Sequence, residues 1–272
     1  MKKLFCFTMA MFLMAGVSFA GTVNLPQTGQ KKCYDTSGNE ITCTSTVQDG
    51  EIQAGVTWPT PRFTANTDTT IKDNLTGLIW APNGNIMPTR DPGWDTDYTA
   101  NDGRVKWQHA LDYVAKLNSE NYLNHTDWRL PTVNELESLV NANEANTATW
   151  LNTQGFTNVQ ANAYWSSTTY PEYPISAWYV DMDNGYVHDN GKSGYIYVWP
   201  VRAENELNAS AQVWETGQTK CYDASGTEIS CTGTGQDRET RPGIAWPSPR
   251  FTDHGNGTVT DNLTGLMWTK RC

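Results

Sequence analysis

An internal duplication constrains this chain more than any other feature of its sequence. Residues 27–80 and 215–268 align without a gap at a constant offset of 188, and 32 of the 54 aligned positions are identical. The shared blocks read T-G-Q, C-Y-D, W-P-x-P-R-F-T and D-N-L-T-G-L-x-W. This period is far longer than the roughly 20–50 residues of solenoid repeats. The duplication therefore predicts tandem domains, each of which begins with a cysteine-containing segment.

The two copies differ in length. The first continues beyond Trp80 for more than 120 residues, whereas the second ends at Cys272, shortly after Trp268. A fragment of two or three strands without a body to pack on is marginally stable at best. Residues 243–272 are therefore expected to pair with the first domain, to stay frayed, or to belong to a longer product that this chain truncates. We favour truncation.

The first twenty residues have the pattern of a secretory signal peptide. Lys2 and Lys3 precede an apolar run over residues 4–17, and Ser18 and Ala20 supply the small residues of a cleavage site. The run is shorter than the ~20 residues that a membrane-spanning helix needs. No later segment is apolar enough to span a bilayer. The sequence thus predicts an exported protein, located outside the cell, at its surface or in a periplasm.

Export would place the cysteines in an oxidising compartment, where disulfides persist. Cys33 and Cys43 are ten residues apart, as are Cys221 and Cys231. We predict one local disulfide in each pair. Zinc binding is the alternative, but two thiolates without a nearby His or further Cys make a poor zinc site.

The charge balance argues against several classes of partner. The chain carries 19 Lys and Arg against 29 Asp and Glu, which gives a net charge of −10. Nucleic acids and anionic membranes are bound through cationic side chains, so neither is expected as a partner. The sequence also contains 12 Trp and 12 Tyr, an unusual number for a chain as polar as this one, in which 38% of the residues are hydrophobic. These aromatic residues are the first indication of a binding function.

The hydrophobic pattern of residues 56–203 predicts an α+β domain with two helices followed by a strand-rich C-terminal half. One helix is predicted over residues 104–118, and a second is predicted to begin at a capping box formed by Thr132 and Glu135. The runs 163–169, 176–183, 186–190 and 195–203 resemble strands, with a two-residue hairpin turn at Asn184 and Gly185. The predicted organisation is a signal peptide (1–20), a disulfide-clipped segment (21–55), the domain (56–203), a linker (204–214) and a truncated second repeat (215–272).

Four ordered motifs carry a resemblance to a known family. They are T-D-W-R-L-P-T at 126–132, Y-W-S-S-T at 164–168, A-W-Y-V at 177–180 and V-W-P-V-R at 198–202. Together they resemble the Lcl C-terminal domain family, which ends a collagen-like bacterial surface adhesin. The resemblance implies a C-type-lectin-like fold, shared with formylglycine-generating (sulfatase-modifying) enzymes, and a role in extracellular binding. That adhesin attaches to sulfated polysaccharides, whereas the acidic balance of this chain disfavours a polyanion.

Two enzymatic functions are tested by the sequence and neither is expected. A formylglycine-generating oxidase needs a pair of active-site cysteines, and no cysteine lies between Cys43 and Cys221. The serines at 166 and 167 lack the G-x-S-x-G elbow of hydrolases, and nothing in the sequence places His109, His125 or His188 beside them. We therefore expect a non-enzymatic protein.

The hairpin around Asn184 and Gly185 supplies the candidate binding site. With a two-residue loop, Asp183 opposes Tyr186 and Asp181 opposes His188. Alternation then turns one face, Trp178, Val180, Met182 and Val187, into the core. The predicted ligand-binding face comprises Tyr179, Asp181, Asp183, Tyr186 and His188. Aromatic rings flanked by carboxylates suit a neutral sugar, and an ordinary solvated sheet face is the alternative.

Two further groups of polar residues are considered. Asp91, Asp95, Asp97 and Asp102 crowd one loop and form a candidate Ca²⁺ site, because Ca²⁺ prefers closely spaced oxygen ligands. A solvated acidic loop is the alternative. Arg129 and Arg202 lie within apolar motifs, where they are expected to tie the C-terminal strand to the W-R-L-P segment rather than to capture an anion.

These observations predict an exported, non-enzymatic, adhesin-like protein that binds carbohydrate. The alternative is a structural or assembly module that binds protein partners through the same aromatic face. The sequence contains no signal for a particular oligomeric state.

Overall fold

The computed structural model describes residues 23–95, 99–203 and 209–270, which fall into two compact units, 23–246 and 247–270. The predicted signal peptide (1–20) and Cys272 lie outside the described residues. Within those ranges, no helix is both long enough and apolar enough to cross a membrane.

Short strands and helices alternate along the chain. The first half contains β1 (Cys33–Tyr34), β2 (Glu40–Ile41), α1 (Asp49–Ile52), β3 (Phe63–Ala65), β4 (Ile71–Asp73), β5 (Leu78–Trp80), α2 (Met87–Arg90), β6 (Arg104–Val105), α3 (Trp107–Ser119), a 3₁₀ turn (Tyr122–Asn124) and α4 (Val133–Glu137). The second half contains α5 (Thr147–Asn152), β7 (Ala163–Thr169), β8 (Ser176–Asp181), β9 (Val187–Gly191), β10 (Ile196–Tyr197), β11 (Val201–Ala203), β12 (Cys221–Tyr222), β13 (Glu228–Ile229), α6 (Asp237–Thr240), β14 (Phe251–Asp253), β15 (Thr258–Asp261) and β16 (Met267–Thr269).

Two sheets organise the larger unit. A five-stranded sheet has the order β6-β10-β7-β8-β9, with β7 at its centre and every residue of β7 buried. A four-stranded sheet has the order β11-β5-β4-β3, so the last strand of the domain pairs with the first hairpin, Val201 opposite Trp80. The predicted mixed α+β class is confirmed. The structure adds several short helices to the two that the sequence pattern predicted.

The two predicted helices form where expected. Along α3 the predicted apolar stripe is buried: Trp107, Ala110, Leu111, Val114 and Leu117. At the start of α4 the Glu135 amide donates to Thr132 Oγ1 (3.3 Å), and the Thr132 amide donates to Glu135 Oε2 (2.8 Å). This capping box satisfies two backbone donors that a helix N-terminus otherwise leaves unpaired.

An aromatic cluster fills the core between the two sheets. The Trp199 ring lies 5.3 Å from Trp80, 5.1 Å from Phe156 and 5.5 Å from Tyr164 between centroids. Its indole Nε1 donates to the Ala81 carbonyl at 2.8 Å. Trp128 and Trp165 are also buried. Trp178, which the sequence placed on the core face of its strand, is half-buried and borders a surface groove.

Arg129 and Arg202 have the structural role that the sequence favoured. Arg129 donates to both carboxylate oxygens of Glu135 at 2.5 Å, and its backbone pairs with Val201 of β11. Arg202 Nε donates to Asp127 Oδ1 at 2.8 Å. The Arg202 guanidinium thus ties β11 to the segment before α4, whereas the Arg129 guanidinium ties that segment to α4 and only the Arg129 backbone pairs with β11. Anion capture by either side chain is not supported.

Both predicted disulfides, Cys33–Cys43 and Cys221–Cys231, are present. Each clips a small two-stranded sheet, β1-β2 in the first disulfide segment and β12-β13 in the second. Both segments belong to the 23–246 unit. Of the predicted linker 204–214, residues 204–208 lie outside the described residues, and Ala211 and Val213 are buried.

A buried lysine joins the second disulfide segment to the body of the domain. Lys192 is 1% exposed, and its Nζ donates to the carbonyls of Tyr222 and Asp223 at 3.2 Å each. The ammonium also lies 4.0 Å from the centroid of the Trp107 ring. Carbonyl oxygens and an aromatic face both stabilise a cation that has left water.

This ammonium makes the stability of the 23–246 unit depend on pH. Burial lowers the pKa of Lys192 from 10.5 to about 8, although the Asp223 carboxylate opposes the shift. Between these two pH values the unfolded chain binds more protons than the folded chain, so stability rises with pH. Below about pH 8 the folded state bears the full cost of the buried charge.

We expect the unfolding free energy of the wild type to rise by about 1–3 kcal/mol relative to Lys192→Met between pH 8 and pH 10.5. Urea unfolding of both proteins at several pH values measures the difference. The tyrosines titrate in both proteins and cancel in the comparison. A difference that stays constant or shrinks with rising pH would contradict the prediction.

The 247–270 unit repeats the first hairpin without a body. Its strands β14, β15 and β16 form a three-stranded antiparallel sheet, and Arg250 pairs with Asp261 at 2.5 Å as Arg62 pairs with Asp73 in the first copy. Four of its large apolar side chains are exposed, Phe251, Leu266, Met267 and Trp268, whereas Leu263 is fully buried.

Candidate functional site

The β8–β9 hairpin has a different register from the predicted one. Tyr179 lies opposite His188 and Val180 opposite Val187, and the Asp181 amide donates to the Tyr186 carbonyl at 2.8 Å. The loop therefore contains four residues, 182–185, and the predicted two-residue turn is wrong.

Tertiary contacts explain the longer loop. Met182 is fully buried, its amide donates to the Asn162 carbonyl at 3.0 Å, and its carbonyl accepts from the Ala148 amide at 2.7 Å. These bonds hold Met182 away from the partner strand that the hairpin pattern assigned to it. Because the shift amounts to two residues, every strand side chain keeps the face that the sequence predicted.

Four of the five predicted ligand-binding residues lie on one outward face of this hairpin. The rings of Tyr179 and His188 are 6.1 Å apart between centroids, and Asp181 and Tyr186 follow on the same face. Tyr186 is 71% exposed and His188 is also exposed, whereas Tyr179 and Asp181 are half-buried. We call these four residues the aromatic face. Asp183 lies in the loop, where its carboxylate accepts from Asn146, the N-cap of α5.

The protonation of Tyr179 suits a hydrogen-bonding role. Partial burial raises the pKa of Tyr179, and the carboxylates of Asp181 and Asp189 raise it further. The phenol therefore stays protonated at neutral pH and can donate to a ligand oxygen. Asp181 beside it offers carboxylate acceptors. Sequence reasoning missed Asp189, which contributes to this field from the neighbouring strand.

A groove runs along the opposite side of the same hairpin. Its volume is about 340 Å³, and its lining includes Trp178, Val187, Glu137 and residues 216–218 of the second disulfide segment. A second cavity of about 350 Å³ shares Glu137 and is lined by Trp58, Trp214 and Leu75. Sequence reasoning missed both, because their walls come from segments far apart in the chain.

Glu137 is the titratable residue common to these two cavities. Its carboxylate has no hydrogen-bond or ion-pair partner among the described residues, and desolvation by the cavity walls raises its pKa. At the end of a short helix it resembles any solvated glutamate, so no sequence signal could have identified it.

In the acidic loop of the candidate Ca²⁺ site, two of the three described carboxylates are in ion pairs. Asp91 accepts from Lys116 (2.7 Å) and from the Tyr113 hydroxyl (2.9 Å), and Asp102 pairs with Arg104 at 2.7 Å. Asp95 is buried and accepts from the Gly103 amide at 2.8 Å. Asp97 lies outside the described residues. In the part of the chain that is described, no group of three or more metal-ligating side chains occurs, and the calcium site stays a prediction.

The histidines and serines considered as catalytic candidates lie in separate structural settings. Ser166 is buried and donates to the Trp178 carbonyl at 2.6 Å. His125 bonds to Asp68 at 2.7 Å. Burial opposes ionisation of Asp68, but hydrogen bonds from Thr70 and His125 outweigh it and lower the pKa to about 2. His109 packs against Trp94, and His188 belongs to the aromatic face.

The geometry defines a mixed α+β domain flanked by two small segments, each closed by a disulfide of the kind found in extracytoplasmic proteins. The family model of the Lcl C-terminal domain matches residues 69–202, and this part of the chain belongs to that family. A comparison with curated proteins found no match.

Proposed function

We propose that this chain is an exported, non-enzymatic binding protein that holds a carbohydrate on its Lcl C-terminal domain, in the manner of an adhesin. The observation that carries the proposal is the aromatic face of Tyr179, Asp181, Tyr186 and His188. This face combines aromatic rings that reach the surface with a carboxylate on one side of a sheet. The pairing of β11 with β5, which brings the two ends of the domain together, supports a C-type-lectin-like fold.

The chemistry of the face favours a neutral sugar. A pyranose ring presents C–H groups that pack on an aromatic face, and its hydroxyls donate to carboxylates. The four residues include no Arg or Lys, and the chain has a net charge of −10. A sulfated polysaccharide would need cationic donors for its charges, so it fits this face less well.

A non-enzymatic role is supported by the residues around the face. The family match contains no cysteine, so it lacks the thiols of the sulfatase-modifying oxidases. Ser166 and Ser167, the two serines considered as hydrolase nucleophiles, are both buried.

Binding to a glycan array tests the proposal. We expect the double substitution Tyr179→Ala/Tyr186→Ala to weaken glycan binding at least about tenfold, because stacking and a donor are lost together. Tyr173→Ala is the matched control, since Tyr173 is 57% exposed and lies outside the aromatic face. Running each array with and without a calcium chelator tests the predicted role of Asp91, Asp95, Asp97 and Asp102.

The outcomes separate the proposals. If the double substitution leaves the affinity for glycans unchanged, the aromatic face is not the binding site. If the chelator abolishes glycan binding and the double substitution does not, the result would favour the predicted calcium site in the acidic loop as the binding site. Absence of glycan binding, together with saturable binding of a purified surface protein that the double substitution abolishes, would favour the alternative of a structural or assembly module.

A further inference from the structure

The two disulfide segments are duplicates that contact the same domain body through different sides. Both contain the local bonds between a glutamine side chain and a tyrosine backbone, Gln48 with Tyr34 and Gln236 with Tyr222. In both, a threonine hydroxyl donates to an aspartate, Thr28 to Asp49 and Thr216 to Asp237. The chain thus presents one small module twice.

The second segment docks on the end of β7 and on Lys192. The Gln218 side chain pairs with the backbone of Thr169, accepting from its amide at 2.8 Å and donating to its carbonyl at 3.1 Å. Thr168 Oγ1 donates to Asp237 Oδ2 at 2.7 Å. Lys192 donates to the Tyr222 and Asp223 carbonyls of the segment. We call Thr168, Thr169 and Lys192 the body face.

The docked side of the second segment is nearly inaccessible to solvent. Gln236 and Asp237 are each 2% exposed. The equivalent residues of the first segment, Gln48 and Asp49, are only half-buried. Burial therefore distinguishes two modules that are otherwise matched in sequence and local structure.

The first segment keeps the same docking groups on an open side. Gln30, Tyr34, Asp35 and Asp49 are identical to Gln218, Tyr222, Asp223 and Asp237 of the second segment. Tyr34 is 39% exposed and Asp35 is also exposed. The Gln30 side chain makes no hydrogen bond with any described residue.

The first segment contacts the body through its other side. The Ala142 amide donates to the Thr28 carbonyl at 3.0 Å, and the Lys31 amide donates to Asn143 Oδ1 at 3.0 Å. Trp58 packs on Trp150 at 5.7 Å between centroids. In the second segment the equivalent tryptophan, Trp246, is 45% exposed. Each module therefore has two binding sides, and each copy uses a different one.

We propose that the open side of the first disulfide segment is a docking surface for the body face of a second copy of this chain. Gln30 would pair with the Thr169 backbone, Asp49 would accept from Thr168, and the Tyr34 and Asp35 carbonyls would accept from Lys192 of that copy. This contact is heterologous, so it joins chains head to tail.

Competition controls the association. In each chain the body face is covered by that chain's own second segment, whose effective concentration is of the order of millimolar because it is tethered. At micromolar concentration the wild type therefore does not associate through this surface. Release of the second segment exposes the body face to the first segment of another copy.

The test is the self-association of full-length variants, measured by sedimentation velocity and native mass spectrometry. Gln218→Ala/Asp237→Ala removes the side-chain bonds of the second segment to Thr168 and Thr169 and so weakens its hold on the body face. We expect this variant to form oligomers at about 100 µM while the wild type stays monomeric. Adding Gln30→Ala should weaken the association at least tenfold. Adding Lys192→Met should abolish it. Thr42→Ala, an exposed position on the first segment, is the matched control and should leave the association unchanged.

Two results would overturn the proposal. One is a Gln218→Ala/Asp237→Ala protein that keeps native tryptophan fluorescence and stays monomeric. The other is association that Gln30→Ala leaves intact, since this would indicate nonspecific contact between uncovered surfaces. If the released variant fails to fold, the single variant Gln218→Ala replaces it in the same measurements. Association of this variant that Gln30→Ala weakens supports the surface, and a folded variant that stays monomeric at about 100 µM contradicts it.

Discussion

Replacing Trp80 with alanine is expected to lower the unfolding free energy of the 23–246 unit by about 3–5 kcal/mol. Trp80 is fully buried and packs against Trp199 at 5.3 Å between ring centroids. Its removal deletes a large apolar volume and leaves a cavity that the two sheets on either side cannot close. Denaturant unfolding followed by fluorescence measures the loss.

The duplication supplies a matched control for this substitution. Trp268 occupies the equivalent position in the 247–270 unit and is 59% exposed. Trp268→Ala should change the stability of the 23–246 unit by no more than about 0.5 kcal/mol. Trp80→Phe provides a second comparison with Trp80→Ala. The buried Trp80 Nε1 has no acceptor among the described residues, so phenylalanine removes no hydrogen bond with them. If Trp80→Ala costs no more than Trp268→Ala, the assignment of Trp80 to the core is wrong.

Replacing Asp73 with asparagine is expected to destabilise the same unit by about 3–5 kcal/mol. Asp73 is fully buried and accepts from Arg62 at 3.1 and 3.3 Å, and also from the Leu75 amide at 2.9 Å and the Thr76 hydroxyl at 3.0 Å. Asparagine would leave the Arg62 guanidinium as an uncompensated buried charge. The Trp58 ring, 4.1 Å from the guanidinium carbon, and the Ser138 carbonyl compensate only in part.

Asp261→Asn is the matched control for the buried ion pair. Arg250 and Asp261 repeat the pair in the 247–270 unit, where the arginine side chain is 20% exposed. Water can solvate that cation after the substitution, so the unfolding of the 23–246 unit should not change. Equal effects of Asp73→Asn and Asp261→Asn would show that burial does not determine the contribution of the pair.

Local patterns in the sequence predicted the secondary structure well. The α3 stripe, the capping box of α4, the two disulfides and the strand β7 all depend on residues close together in the chain. Local hydrogen bonding and side-chain periodicity determine such elements. The β8–β9 register could not be predicted in this way, because the long-range bonds of Met182 to Asn162 and Ala148 set the loop length.

For the candidate site too, the sequence predicted what depends on local alternation and missed what depends on long-range contacts. Tyr179, Asp181, Tyr186 and His188 share a face because strand alternation survives a two-residue shift of register. Asp183 was grouped with them, but the N-cap of α5 holds its carboxylate. The cavities around Glu137 had no sequence signal, since their walls join only after the chain has folded.

By itself the sequence determined the duplication, the disulfide pairing, the mixed α+β class and the Lcl C-terminal domain at residues 69–202. Each of these depends on local spacing or on ordered motifs. Only the tertiary structure decided how the duplicates differ. Trp80 is buried while Trp268 is exposed, and Asp237 is buried while Asp49 is only half-buried, although their sequences match. Burial depends on which parts of the chain are available to cover a residue, and identical local sequences carry no information about that.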